Sequence, residues 1–162
     1  MLTMAAHPQP FQTFLDEQRR PVLSFLRAMV GPQEADDVFQ ETFLAAMRAY
    51  AKMDGRHPRA WVLTIARRKA IDHHRARTRR PEPRAEVPEV AVVDRGPEDG
   101  EIWSAVAELS DAQREAVALR FGADLPYREI AAALGCSEDA ARRRVYDGLD
   151  RLRQMIDEED HS

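Results

Sequence analysis

Between residues 56 and 80 the chain carries nine basic side chains and one acidic one, although its formal net charge is -4. Arg67, Arg68, Lys69, Arg75, Arg77, Arg79 and Arg80 follow an apolar run, and Trp61 and the histidines His57, His73 and His74 lie close to them in sequence. Cations at this density bind phosphate oxygens and release the counterions around them, and rings among them can stack on or bond to unpaired bases. The competing reading is a solvated helix end, where cations also suit the helix dipole. An excess of eight charges over 25 residues is more than a dipole needs. On this stretch alone both readings stay open.

Two further stretches carry chemistry. In YREIAAALGCSEDAARRRVYDGLDRLR a glycine-containing turn separates two helical patterns, with Ile130, Ala131, Leu134, Val145 and Leu149 where the helices must pack. Ser137 is placed to cap the second helix, and Arg142, Arg143 and Tyr146 then share its outer side, within reach of phosphates and base edges in a major groove. A plain helical hairpin with a solvated basic face predicts much of the same pattern. The third stretch, EADDVFQETF, sets acids among two phenylalanines four apart. It suits either a ridge that meets a basic partner surface or an ordinary amphipathic helix with Phe43 in the core.

Other chemistries have no foothold. There is no phosphate loop, no defensible Ser/His/Asp order and no isolated apolar site that would tune a carboxylate, so the chain is not read as an enzyme and no cofactor is expected. One cysteine, Cys136, cannot form an internal disulfide, and no histidine pair stands at ligand spacing beside another donor, so no metal site is expected. No apolar run approaches the roughly 20 residues of a membrane span, and the first residues lack the layout of a signal peptide. The expectation is a cytoplasmic protein with no membrane insertion.

The elements that must position these side chains are helical. Apolar residues from Phe11 through Met29 follow helical spacing, with Pro21 expected to kink or divide the element. A second helix is predicted over 34–50, with Phe39, Phe43, Ala46 and Tyr50 on one side, and Pro58 is suited to open a third whose far half is the basic block. Residues 81–111 hold two basic and nine acidic side chains, and the stretch up to Gly100 holds prolines and glycines without sustained periodicity, the composition of a flexible acidic linker. Helical pattern resumes near Glu101, and Ser110 with Gln113 has capping-box spacing ahead of the helix 110–121. The expected fold is therefore all-α, two small helical domains over 1–80 and 101–162, the second a helix-turn-helix unit, joined by a linker over 81–100.

Taken in this order, DDVFQETFLAAMRAY, DGRHPRAWVLTIARRKAIDHHR and LSDAQREAVALRF with LPYREIAAALGCSEDAARRRVYDGLDRLR resemble an extracytoplasmic-function (ECF) sigma factor of the sigma-70 family, over about residues 11–80 and 101–153. The resemblance implies a sigma region 2-like first domain and a region 4-like second one, with core RNA polymerase, promoter DNA and an anti-sigma factor as partners. Asp36, Asp37, Gln40 and Glu41, with exposed parts of Phe39, would contact the clamp helices of the polymerase's largest subunit. The loop 53–57 would hold a base flipped from the minus-ten element, and Lys52, Arg56, His57, Arg59, Trp61, Arg67, Arg68 and Arg75 would form the minus-ten surface. Ser137, Ala140, Arg142, Arg143, Tyr146 and Asp147 would face the minus-thirty-five element, and the acidic linker would lie in the RNA-exit path.

The sequence also departs from the family pattern. Where recognition helices of the family usually read Ser, any, Gly, Thr, Val, Lys, Ser, Arg, this chain has Ser137, Glu138, Asp139, Ala140, Ala141, Arg142, Arg143 and Arg144. Asp147 stands where a basic residue is common, so the upstream sequence preferred is expected to differ. Two rivals remain: a sigma-derived helix-turn-helix regulator that does not engage polymerase, and a helical adaptor whose basic segment binds an acidic partner or an anionic surface.

Overall fold

The computed structural model describes residues 9–79 and 97–161. Among them the chain forms α1 (Phe11–Val30), α2 (Ala35–Ala49), a short 3-10 turn (Tyr50–Lys52), α3 (Pro58–Arg79), α4 (Pro97–Ala107), α5 (Asp111–Val117), a π-helical turn (Ala118–Gly122), α6 (Tyr127–Leu134) and α7 (Glu138–Asp160), with no strand among the described residues. The all-α expectation holds. The expected linker lies mostly outside the described residues, but its last four positions, 97–100, belong to α4 instead. Proline suits a first helical turn, where its missing N–H has no bond to lose.

α1 is one continuous helix through Pro21, so of the kink or division expected there the division does not occur. Phe14 and Gln18 before the proline and Val22, Phe25 and Leu26 after it are all buried on one face. That shared buried face supports the helix through the proline, although an internal proline removes one backbone bond and costs about 3 kcal/mol in an unsupported helix. Gly31, at φ 87°, ends the helix, its N–H donating to the Arg27 carbonyl at 3.0 Å. A side chain at that angle would be strained, so the reversal into α2 needs glycine.

α2 and α3 close on α1 around an aromatic cluster. Phe14 lies 5.1 Å from Tyr50 and 5.9 Å from Trp61, centroid to centroid, and Phe39 lies 4.6 Å from Phe43. Such tilted and edge-on pairs add to simple area burial. Burial, with the Glu17 carboxylate nearby, raises the Tyr50 hydroxyl above its ordinary pKa, and the hydroxyl donates to the Gln9 carbonyl at 2.9 Å. α3 contributes Val62, Leu63, Ala66 and Ala70, so its first half is anchored in the core while its basic end buries no apolar side chain beyond Ala70.

The second unit packs α5 on α7 and α6 on α7. Ser110 caps α5, its Oγ accepting from the Gln113 N–H at 3.3 Å, and Ser137 caps α7 in the same way through Ala140 at 3.1 Å. The turn between α6 and α7 rests on Gly135 in the left-handed conformation. Gly148 lets α5 and α7 approach closely: a Cβ there would stand 2.6 Å from Val117 Cγ2. The helix predicted over 110–121 is interrupted, since its last turn is π-helical. α7 runs on to Asp160, beyond the last residue of the helix-turn-helix stretch at Arg153.

The buried residues of the two units form one continuous cluster, because α1 packs against the π turn and α3 against α6.

Candidate functional site

The acidic ridge stands on α2. Asp36, Asp37, Gln40 and Glu41 are exposed, while Val38, Thr42 and Phe43 on the opposite side are buried. Two acids in the first turn also suit the positive end of the helix. Phe39 is half-buried against Phe43, so only part of it faces outward. Leu44 and Met47 extend the same face and are 51% and 52% exposed, although the sequence reading did not single them out. The spacing Asp37, Gln40, Glu41, Leu44 and Met47 follows one helical stripe, and that stripe was the available signal. Its chemistry is an acidic start followed by an uncovered apolar patch.

Beyond α2, Met53 is buried and so pins the start of the loop 53–57. Asp54 Oδ1 accepts from the Arg56 N–H at 3.0 Å, and Gly55 at φ 80° turns the chain. Lys52, Arg56 and His57 stand exposed around this loop.

α3 divides the basic block into three groups. Arg68 and Arg75 are exposed and face solvent. His73 and Arg77 pair with Glu34, Arg77 Nη1 lying 3.0 Å from a carboxylate oxygen, so part of the block is an ion cluster that ties α3 to the start of α2. Arg59 and Arg67 reach the second unit, as does His57 at the loop: His57 Nδ1 is 3.0 Å from Glu129, Arg67 Nη2 is 3.3 Å from Glu115, and Arg59 Nη1 donates to the Ala123 carbonyl at 3.4 Å. Arg59 Nε is held in addition by the buried Gln18 amide at 3.0 Å. Trp61 packs among Phe14 and Tyr50 and is half-buried, with less of its ring free for a base than an exposed tryptophan would have. Arg79 and Arg80 lie outside the described side chains.

The outer side of α7 begins at the Ser137 cap. Ala140 is half-buried, and Arg142, Arg143, Tyr146 and Asp147 are exposed at helical spacing that brings them to one side. Arg142 is not free to sweep solvent. Its guanidinium carbon lies 4.8 Å from the centroid of the Tyr127 ring, over which Arg120 also lies at 4.8 Å, and its Nη1 is 3.8 Å from Asp139. Arg120 is itself fixed by a 3.1 Å bond to the Leu125 carbonyl. Tyr127 thus orders the start of the outer surface, a role hidden in the sequence because a tyrosine opening an amphipathic helix reads as core.

The two helical units each match a known family. Residues 14–80 match the family model Sigma-70 region 2, and residues 99–152 match Sigma-70, region 4. The chain is 33% identical over 148 residues to the ECF RNA polymerase sigma factor SigC of Mycobacterium tuberculosis, covering 87% of this chain and 80% of that one. Its fold matches the sigma factor RpoE of Bartonella quintana, solved with the anti-sigma factor NepR, at a TM-score of 0.75 and 22% identity over 91% of this chain and 96% of that one. It also matches CnrH, solved with the cytosolic domain of CnrY, at a TM-score of 0.68 and 25% identity over 91% and 87% of the two chains. The chain belongs to the ECF RNA polymerase sigma factors. These are transcription initiation factors, and none of the described helices here is long and apolar enough to cross a membrane.

Proposed function

We propose that the chain binds core RNA polymerase through the outer face of α2, receives the minus-ten strand along α3 and the loop 53–57, and reads the minus-thirty-five element with the outer side of α7. The observation that carries this reading is the separation of charge on one helical hairpin. The acidic, partly apolar stripe of α2 and the basic end of α3 are both exposed, yet they present opposite chemistry. An acidic stripe with Leu44 and Met47 at its end suits a basic, partly apolar protein surface, whereas free guanidinium groups suit phosphate. The opening of a base into the loop 53–57 would offset unstacking and so stabilise melted DNA.

The domain division is proposed with the first unit over 1–80 and the second over 97–161, the latter starting four residues earlier than the sequence pattern indicates. An anti-sigma factor is proposed as a further partner, supported by the similarly folded RpoE, which was solved with the anti-sigma factor NepR. A groove of about 380 Å³ between α1, α3, α4 and the start of α5 is lined by Arg27, His74, Trp103 and Arg114 together with Glu34 and its partners His73 and Arg77, a mixed polar and apolar lining that suits a partner segment. Run-off transcription with purified core enzyme, on a promoter selected from random sequence, tests the reading. Transcripts that start at one site only when the chain is present support it. Promoter binding without transcripts would favour the regulator that does not engage polymerase.

A further inference from the structure

We propose that Gln18 is a positioning residue of the minus-ten surface: it holds the Arg59 guanidinium by Nε without neutralising it, so that the charge stays available to a phosphate of the melted strand. The inference rests on the assignment of Arg59 to that strand, and it adds a residue of α1 that the sequence reading passed over. Gln18 is only 5% exposed. It lies one turn after Phe14 and one turn before Val22, both fully buried, so it occupies a place in the apolar stripe where a hydrocarbon side chain would give up no hydrogen bond to water. Its Oε1 accepts from Arg59 Nε at 3.0 Å.

Arg59 is out of place by local rules as well. It stands in the first turn of α3, a turn without an acidic side chain, and a cation there opposes the helix dipole. Two residues that are each unfavourable alone are thus bonded to one another, and departures of this kind gather at functional sites. The neighbouring cations meet a different chemistry, since His57 faces Glu129 and Arg67 faces Glu115. Arg59 meets the Gln18 amide and, through Nη1 at 3.4 Å, the Ala123 carbonyl, and both acceptors are neutral. A glutamate at position 18 would make the same bond and cancel the charge. An apolar residue would leave the charge and lose the bond. Glutamine gives a guanidinium that is both fixed and fully charged. With Nε taken by Gln18, the Nη nitrogens are the donors aimed at phosphate oxygens, and fixing them beforehand lowers the side-chain entropy lost when a strand binds.

The test is binding of a fluorescein-labelled single strand of random sequence to the full chain, alone and with core polymerase, over a series of salt concentrations. Gln18→Glu keeps the shape and the acceptor, so helical circular dichroism and the unfolding midpoint should hold. Strand binding should weaken severalfold, and the slope of log affinity against log salt should become shallower by about 0.7, the value of one lost phosphate contact on a single strand. Gln18→Met, which removes the acceptor and adds no charge, should also weaken binding severalfold. Neither change should have a further effect once Arg59 is alanine, because Gln18 acts through that side chain. Wild-type affinity and slope in both Gln18 variants, with weaker binding by Arg59→Ala, would overturn the positioning role and leave the strand assignment standing. Undiminished losses from the Gln18 changes in the Arg59→Ala background would overturn it too, since Gln18 would then act by packing alone. If Arg59→Ala binds like the wild type, or no strand binds with or without core enzyme, the strand assignment fails and the inference falls with it. Should one Gln18 variant lose its helical signal, the other decides.

Discussion

At the scale of single residues, exposure separates side chains that hold the fold from those left for partners. Asp37 is exposed on the acidic stripe, one residue before the buried Val38, so its carboxylate contributes charge to the surface and nothing to the core. Asp37→Arg should therefore leave helical content unchanged by circular dichroism while lowering affinity for core polymerase at least tenfold, about 1.4 kcal/mol. Co-elution with core enzyme at wild-type stoichiometry and affinity would show that the stripe is solvated only. Tyr127 calls for a different test, since its ring lies beneath two guanidinium groups. Cation–π contacts at exposed sites contribute about 0.5–1 kcal/mol each, and their loss lets Arg142 swing. Tyr127→Ala should weaken binding to a minus-thirty-five duplex severalfold and flatten its preference among base-substituted duplexes. Tyr127→Phe keeps the ring face and should restore both, which a general loss of packing would not permit.

At the scale of elements, the second unit depends on how closely α5 approaches α7. Gly148 is buried in mid-helix, where glycine lowers helix stability by roughly 1 kcal/mol relative to alanine, so its presence points to the space it saves. Gly148→Val would drive two methyl groups into Val117, and overpacking of this kind destabilises by about 1–3 kcal/mol. Urea unfolding followed by Trp103 fluorescence, in a Trp61→Phe background, should show that loss in the second unit. An unchanged midpoint would mean that the helices can shift apart freely. The same elements show what the sequence made legible. Both helix caps, the Gly135 turn and the span of α3 follow from local chemistry that acts within four residues, and all were readable. Pro21 misled because its local penalty is visible in sequence whereas the burial of Phe14, Phe25 and Leu26 that overrides it is tertiary. The π turn leaves no periodic signature, since one added residue per turn in a five-residue segment cannot be told from an ordinary helix end. The exposed stripe of α2 was legible in part, but Leu44 and Met47 escaped because apolar letters in a helix are read as core. Arg67 with Glu115 and His57 with Glu129 lie 48 and 72 positions apart, and no spacing rule connects residues at that range.

At the scale of the whole molecule, the question is whether the continuous buried cluster makes one domain or two that touch. The polar contacts between the units include a partly exposed His–Glu pair, an Arg–Glu pair and one guanidinium-to-carbonyl bond, beside the buried apolar cluster that α1 and α3 share with the π turn and α6. Exposed pairs contribute about 0–1 kcal/mol each. A connecting segment of this length supplies an effective concentration in the millimolar range, which is enough to hold a weak contact closed within one chain. Cleavage of that connection removes the advantage without touching a contact. A protease site inserted within residues 84–92 should therefore yield, after cutting, two pieces that separate on gel filtration at micromolar concentration, each retaining its helical circular dichroism. Higher salt should make the separation more complete, because screening weakens the ion pairs at the contact. Uncut protein should stay compact at low salt and expand as salt rises. Co-elution of the cut pieces at every salt concentration, or loss of helix in either piece, would instead make the cluster a single obligate core, and polymerase would then have to bind the chain without parting its halves.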